Sequence, residues 1–165
     1  MKPLTKAGIV LGLGLGGFVD GIVLHQILGW HHLICTTDTC QVETIAALKV
    51  QNTQDGFFHL STWILTALGV GLLFRAARAT TQIWSGKSLF GAMLAGWGIF
   101  NFVEGLIDHQ ILGIHHVRSG HPNQFVFDML FLASGVLLVL VGMSMAKNGQ
   151  RGAPGIPPSG AISPR

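Results

Sequence analysis

Four apolar stretches dominate this 165-residue chain, near Ala7 to Leu28, Phe57 to Phe74, Leu89 to Ile107 and Phe125 to Ala146. A hydrocarbon core about 30 Å thick takes about 20 helical residues to cross, and a lone span in lipid must satisfy its own backbone groups, which a helix does. The expected fold class is therefore an all-α integral membrane protein with four transmembrane helices. Lys2 and Lys6 ahead of the first stretch would also suit a secretory signal. No A-x-A-like cleavage site follows, and the stretch returns as the third span, so a membrane helix is expected.

The charges are sorted by position. Lys2, Lys6, Arg75, Arg78, Lys87, Lys147, Arg151 and Arg165 fall in the N-terminus, the middle loop or the tail, leaving only Lys49 and Arg118 elsewhere. By the positive-inside rule both termini are expected in the cytoplasm, and the loops after the first and third spans on the outside. All seven acids, Asp20, Asp38, Glu43, Asp55, Glu104, Asp108 and Asp128, then lie in the outer halves of helices or in outer loops, with all eight histidines. Such a separation suggests a site built at the outer face of the membrane. No basic run with interleaved aromatics suggests nucleic-acid binding.

The octapeptide HQILGWHH, His25 to His32, returns as HQILGIHH, His109 to His116, 84 residues later. Phe18 to Leu33 set against Phe102 to Val117 gives ten identities in sixteen positions, and Gly12/Gly96 and Gly14/Gly98 extend the match. Two parallel two-helix repeats are expected, about 7–75 and 88–146, related by a pseudo-two-fold axis along the membrane normal. They form a domain over residues 1–147, followed by a Gly/Pro/Ser-rich tail at 148–165 that is expected to be cytoplasmic and disordered. The second helices match more weakly, with Phe58-His59 set against Phe127-Asp128. The glycines of the first and third spans should let their backbones approach closely.

Ionised side chains within a bilayer are costly, so intramembrane acids usually face the protein interior and have partners. Asp20 and Glu104 hold the same repeat position. If the helices continue through the octapeptides at 100° per residue, Asp20 shares a face with His31, and Glu104 with Asp108 and His115. His25 with His32, and His109 with His116, share an adjacent one. Asp55 and His59, four apart, look one way from the second helix. Gly29 and Gly113 are candidate interruptions.

Imidazole suits Zn, Cu and Fe, and carboxylates suit harder ions; ligands from facing helices build metal sites in bundle cores. The expected ligands are His25, His59, Glu104, His109 and Asp128, for one transition-metal ion (Cu, Fe or Zn) or two. Asp20 and Asp108 are ligands or acceptors for imidazole N–H groups. His31, His32, His115 and His116, nearer the interface, would capture metal or shuttle protons. Haem is the weaker cofactor, since its pocket needs apolar walls where carboxylates stand here. Cys35 and Cys40 suit a disulfide on the oxidising side or a soft-metal capture site.

Two rivals remain open. One is a proton or ion relay or transporter through Asp20, His25, Glu104 and His109, although the inner halves of the spans carry no acid or histidine. The other is an assembly subunit, in which a homo-oligomer or larger membrane complex uses the polar cluster as glue.

GGFVDGIVLHQILGWHH, DGFFHLSTW, GWGIFNFVEGLIDHQILGIHHV and the later Asp128 resemble the bacterial membrane-protein family called domain of unknown function 2243. The likeness runs from Gly8 to about Ala146. It implies a small multi-span bacterial inner-membrane protein and carries no activity, substrate or cofactor. CTTDTC is a departure from the family pattern.

Overall fold

The computed structural model describes residues 2–34, 44–79 and 84–151. Cys35, Cys40, Asp38, Glu43 and the tail from 152 onward lie outside the described residues, and with them the disulfide and the disordered-tail expectations.

Helix α1 is Pro3–Asp20, α2 Ile45–Arg78, α3 Gly86–Glu104 and α4 Gln124–Arg151; no strand occurs among the described residues. Pro3 opens α1, where its missing N–H is not needed. The Thr44 hydroxyl accepts from the Ala47 N–H at 3.1 Å to cap α2, and Ser85 accepts from Ser88 at 3.3 Å to cap α3. All four helices are long and apolar enough to cross a membrane.

Three helices lie close to the apolar stretches, but α2 starts at Ile45, well ahead of the expected Phe57. Its 34 residues extend about 51 Å, well beyond a bilayer core. The added turns hold Lys49, Gln51 and Asn52, too polar for a hydropathy argument to include, yet they carry Asp55 to its place.

Helices α1 and α3 run parallel as the central pair; α2 packs antiparallel on α1, and α4 antiparallel on α3. Glycine makes the central crossing possible. A Cβ on Gly12 would strike the Met93 carbonyl, and one on Gly96 the Ile9 carbonyl, so each helix presents the same residue to the other. In lipid, such close backbone approach supplies the packing that hydrophobicity supplies in water. A Cβ on Gly98 would lie 2.5 Å from the Gly135 carbonyl of α4, which seats the outer helix in the same manner.

The burial pattern is inverted relative to a soluble protein. Large apolar side chains face out, with Phe57 66% and Leu130 63% exposed. The interior holds small residues such as Ala7, Ala92 and Ala95 together with Asp20, His25, His31, Asp55, Glu104, His109, His115 and Asp128. Hydrocarbon accepts the apolar faces, and the polar groups withdraw from it. Because helices successive in the chain alternate in direction, Lys2, Lys6, Arg75, Arg78, Lys87 and Lys147 lie toward one end and the buried acids and imidazoles toward the other.

Candidate metal centre

At the polar end α1 and α3 each change their winding. Gly21–Ile27 and Gly105–Ile111 are π-helical, and each turn closes with a bond from residue i to i+5, Leu28 N–H to Val23 O and Leu112 N–H to Ile107 O, both 2.8 Å. In an α-helix, residues five apart diverge by about 140°. A π turn stacks them instead, and such turns recur at functional sites. Asp20 thereby meets His25 (Oδ2 to Nε2, 3.2 Å), and Glu104 faces His109 (Oε1 to Nε2, 3.7 Å).

The helices stop at Gly29 and Gly113, which have φ of +57° and +58°. No neighbour crowds either glycine, so backbone conformation alone demands it. Of the two courses open to the octapeptides, the chain takes the interruption at Gly29 and Gly113. The chain reverses and folds His31 and His115 back over the helix ends, where their rings stack with centroids 4.5 Å apart and planes 5° apart. Each is fastened to the other returning loop: His31 Nδ1–H donates to Val117 O at 2.8 Å, and His115 Nδ1–H to Leu33 O at 3.0 Å. A carbonyl only accepts, so Nδ1 carries a proton in each ring; His31 Nε2 has no hydrogen-bond partner, while His115 Nε2 lies 3.3 Å from Glu104 Oε1. Burial pushes the His31 pKa well below the ordinary imidazole value, and the neighbouring His115 and His25 add to this, so the ring is neutral.

Helices α2 and α4 supply one carboxylate each from behind. Asp55 accepts from His25 Nδ1 at 2.9 Å, His32 Nδ1 at 2.7 Å and the Leu33 N–H at 2.9 Å. Asp128 accepts from His116 Nδ1 at 2.7 Å and the Val117 N–H at 2.9 Å, with His109 Nδ1 looser at 3.6 Å. Gln26 and Gln110 reach Asp55 and Asp128 at 3.2 and 3.4 Å. These contacts aim each ring and tie the returning loop to an outer helix.

Six side chains converge in the interior: His25, His31, His109 and His115 through Nε2, and the carboxylates of Asp20 and Glu104. Donor atoms of Asp20, His25 and His31 lie within 4.8 Å of one another, as do those of His31, Glu104 and His115. Both Asp20 oxygens, Glu104 Oε2, the Nε2 atoms of His25 and His31 and both ring nitrogens of His109 are buried without a hydrogen bond. Two carboxylates sealed from water need compensating positive charge, from a cation or from protons on the imidazoles. The donor set, imidazole nitrogen with carboxylate oxygen and with Nδ1 of His25, His31 and His115 held by acceptors, is the kind that holds transition metals.

Several expected ligands stand elsewhere. Asp128 lies behind His109, and Asp55 occupies the matching place behind His25. His59 Nδ1–H donates to the Asp55 carbonyl of its own helix at 2.8 Å, with its ring beside Phe18, away from the cluster. Asp108 is half-buried in a side cleft beside Glu104. His32 and His116 are partly exposed at the back of the Asp55 and Asp128 carboxylates. His31 and His115, expected nearer the interface, are central.

The pairing of Phe58-His59 with Phe127-Asp128 is also corrected. Asp55 accepts from the Leu33 N–H as Asp128 accepts from the Val117 N–H, and Phe58 sits on Gly21 as Phe131 sits on Gly105. The signal for this register was D-x-x-F, Asp55 to Phe58 and Asp128 to Phe131.

Fold and site together define a four-helix membrane protein with a buried histidine–carboxylate cluster at one end. Residues 7–149 match the family described as "Predicted membrane protein (DUF2243)", and the chain belongs to that family. Searches of curated proteins and of solved structures return no match.

Proposed function

We propose that this chain is a bacterial inner-membrane metalloprotein in which His25, His31, His109, His115, Asp20 and Glu104 hold copper, iron or zinc, as one ion or two. The observation that carries the reading is the convergence of imidazole Nε2 atoms and carboxylate oxygens, most of them buried without a hydrogen bond, while Nδ1 of His25, His31 and His115 is engaged on the opposite side of the ring. Asp55 and Asp128 orient the rings, a role in which acceptors behind a ligand also raise its basicity. The halves 7–75 and 88–146 act as repeats about an axis between the stacked His31 and His115. Partners 84 residues apart support this: His31 bonds Val117 where His115 bonds Leu33. The charge distribution favours cytoplasmic termini and an outward-facing centre.

A second reading, ion or proton relay, is favoured by the chain of contacts from partly exposed His32 through Asp55 and His25 to Asp20. Elemental analysis of detergent-purified protein separates the two. The metal reading expects stoichiometric metal that chelators remove with a fall in thermal stability, because ligands from both halves couple binding to folding. Folded, metal-free protein with unaltered stability in chelator would leave the relay.

A further inference from the structure

Two clefts flank the α1–α3 crossing, of about 280 and 270 Å³, and each ends on one of the central carboxylates. Their walls correspond at an interval of 84 residues: Val19 with Val103, Val23 with Ile107, Asp20 with Glu104. The differences are chemical. The Glu104 cleft has Leu13 and Asp108 where the Asp20 cleft has Trp97 and Leu24, and only the Asp20 cleft has Asn101, whose counterpart is Gly17.

Asn101 is 6% exposed. Its Nδ2 donates to Ser134 Oγ at 3.1 Å, while the Ser134 hydroxyl donates onward to Phe131 O at 2.6 Å. The serine proton is therefore spent, its oxygen is the acceptor, and the amide cannot be reversed. That leaves Asn101 Oδ1 buried without a donor; Asp20 Oδ1 in the same cleft likewise lacks one, while Asp20 Oδ2 lies 3.2 Å from His25 Nε2. Among the described residues lining the cleft, every buried side-chain atom without a partner is thus an acceptor. Trp97, Trp30, Phe127 and Phe131 wall it, and the exposed Val19 and Leu130 border it within the span. Such a slot is reached from the bilayer, and its volume suits one substituted ring.

We propose that the Asp20–Asn101 cleft binds the hydroxylated aromatic head of a lipid-soluble molecule of the hydroquinone class, with its hydroxyl donating to Asn101 Oδ1 and its ring held among the aromatic side chains. This goes beyond the metal reading and stands without it, because the Asn101 carbonyl takes no part in the metal centre. The Glu104 cleft, with Gly17 in place of Asn101 and Leu13 in place of Trp97, is an internal control.

The probe pair is trimethylhydroquinone and its dimethyl ether, which keeps the ring and loses both donors. Equilibrium dialysis against the full chain in detergent, without oxygen, should show one hydroquinone bound per chain, about tenfold tighter than the ether. Asn101→Leu should erase that preference while leaving ether affinity and metal content unchanged. Equal affinities in the unaltered protein, or an undiminished preference in folded Asn101→Leu, overturn the proposal. If Asn101→Leu does not fold, Trp97→Leu decides: it should weaken both compounds alike, and unchanged binding is contrary. Loss of metal with binding intact would end the metal reading alone.

Discussion

The inner and outer helix pairs achieve equivalence by different means. The segments that prolong α1 and α3 share ten of sixteen residues, including every glycine and histidine of the octapeptide. Helices α2 and α4 share little beyond Asp and Phe three residues apart, yet Asp55 and Asp128 hold the returning loops in the same way. The inner segments must satisfy several demands at once: close backbone approach, a π turn, a positive-φ reversal and two imidazoles aimed inward. The outer helices need an apolar face for lipid, which many residues provide, and one carboxylate at the right height. Sequence likeness therefore tracks the number of geometric demands on a segment, and similar function does not require it.

If the halves are equivalent, the largest effect belongs to the stacked pair. His31→Ala combined with His115→Ala should abolish bound metal, as read by elemental analysis, in protein that still elutes as a folded species. Substantial retained metal would move the centre elsewhere.

Next in size are Asp55→Ala and Asp128→Ala. Each strands an imidazole and a loop N–H, at a cost of about 3 kcal/mol in stability. Thermal unfolding should show a loss for each; a neutral Asp55→Ala would remove α2 from the comparison. The tighter contact of His25 with Asp55, 2.9 Å against 3.6 Å for His109 with Asp128, makes Asp55→Ala the more damaging of the two.

Gly29→Ala and Gly113→Ala should each cost about 1 kcal/mol, equally, because a side chain in that conformation is strained while nothing crowds it. Unequal melting shifts would show that the two reversals differ. The smallest effect is expected for Asp108→Leu, which installs the residue found at the corresponding place in the first half, Leu24. Metal content should be unchanged, and its loss would return Asp108 to the ligand set.

Much of this arrangement was legible in the sequence. Spans follow from apolar length, the polar end from the sorting of charges, and the central crossing from Gly12 and Gly96. His25, His109, Asp20 and Glu104 were visible because intramembrane acids beside imidazoles have few alternatives to an inward position. Their neighbours were harder. Rotation at 100° per residue fails across a π turn, so the rule that grouped Glu104 with Asp108 and His115 could not show that Glu104 also faces His109; the Glu104–His115 pairing holds, at 3.3 Å, beside 3.7 Å to His109. The rule placed Asp20 with His31, and the two are near, at 4.0 Å, but through chain reversal at Gly29 and not through a shared helical face. Asp55 was visible beside His59, and the four-residue spacing suggested that they act together; yet His59 spends its Nδ1 proton on the backbone of its own helix. That choice depends on packing against Gly21, which no local pattern records.

The central claim is that imidazoles and carboxylates from both halves hold one metal centre. X-ray absorption at the metal edge of the purified, unaltered protein tests it most directly. The account predicts bound copper, iron or zinc with imidazole scattering and only nitrogen and oxygen neighbours, at about 2.0–2.2 Å for zinc. A sulfur shell, which would assign the metal to Cys35 and Cys40, or folded protein with no metal at all, would contradict it.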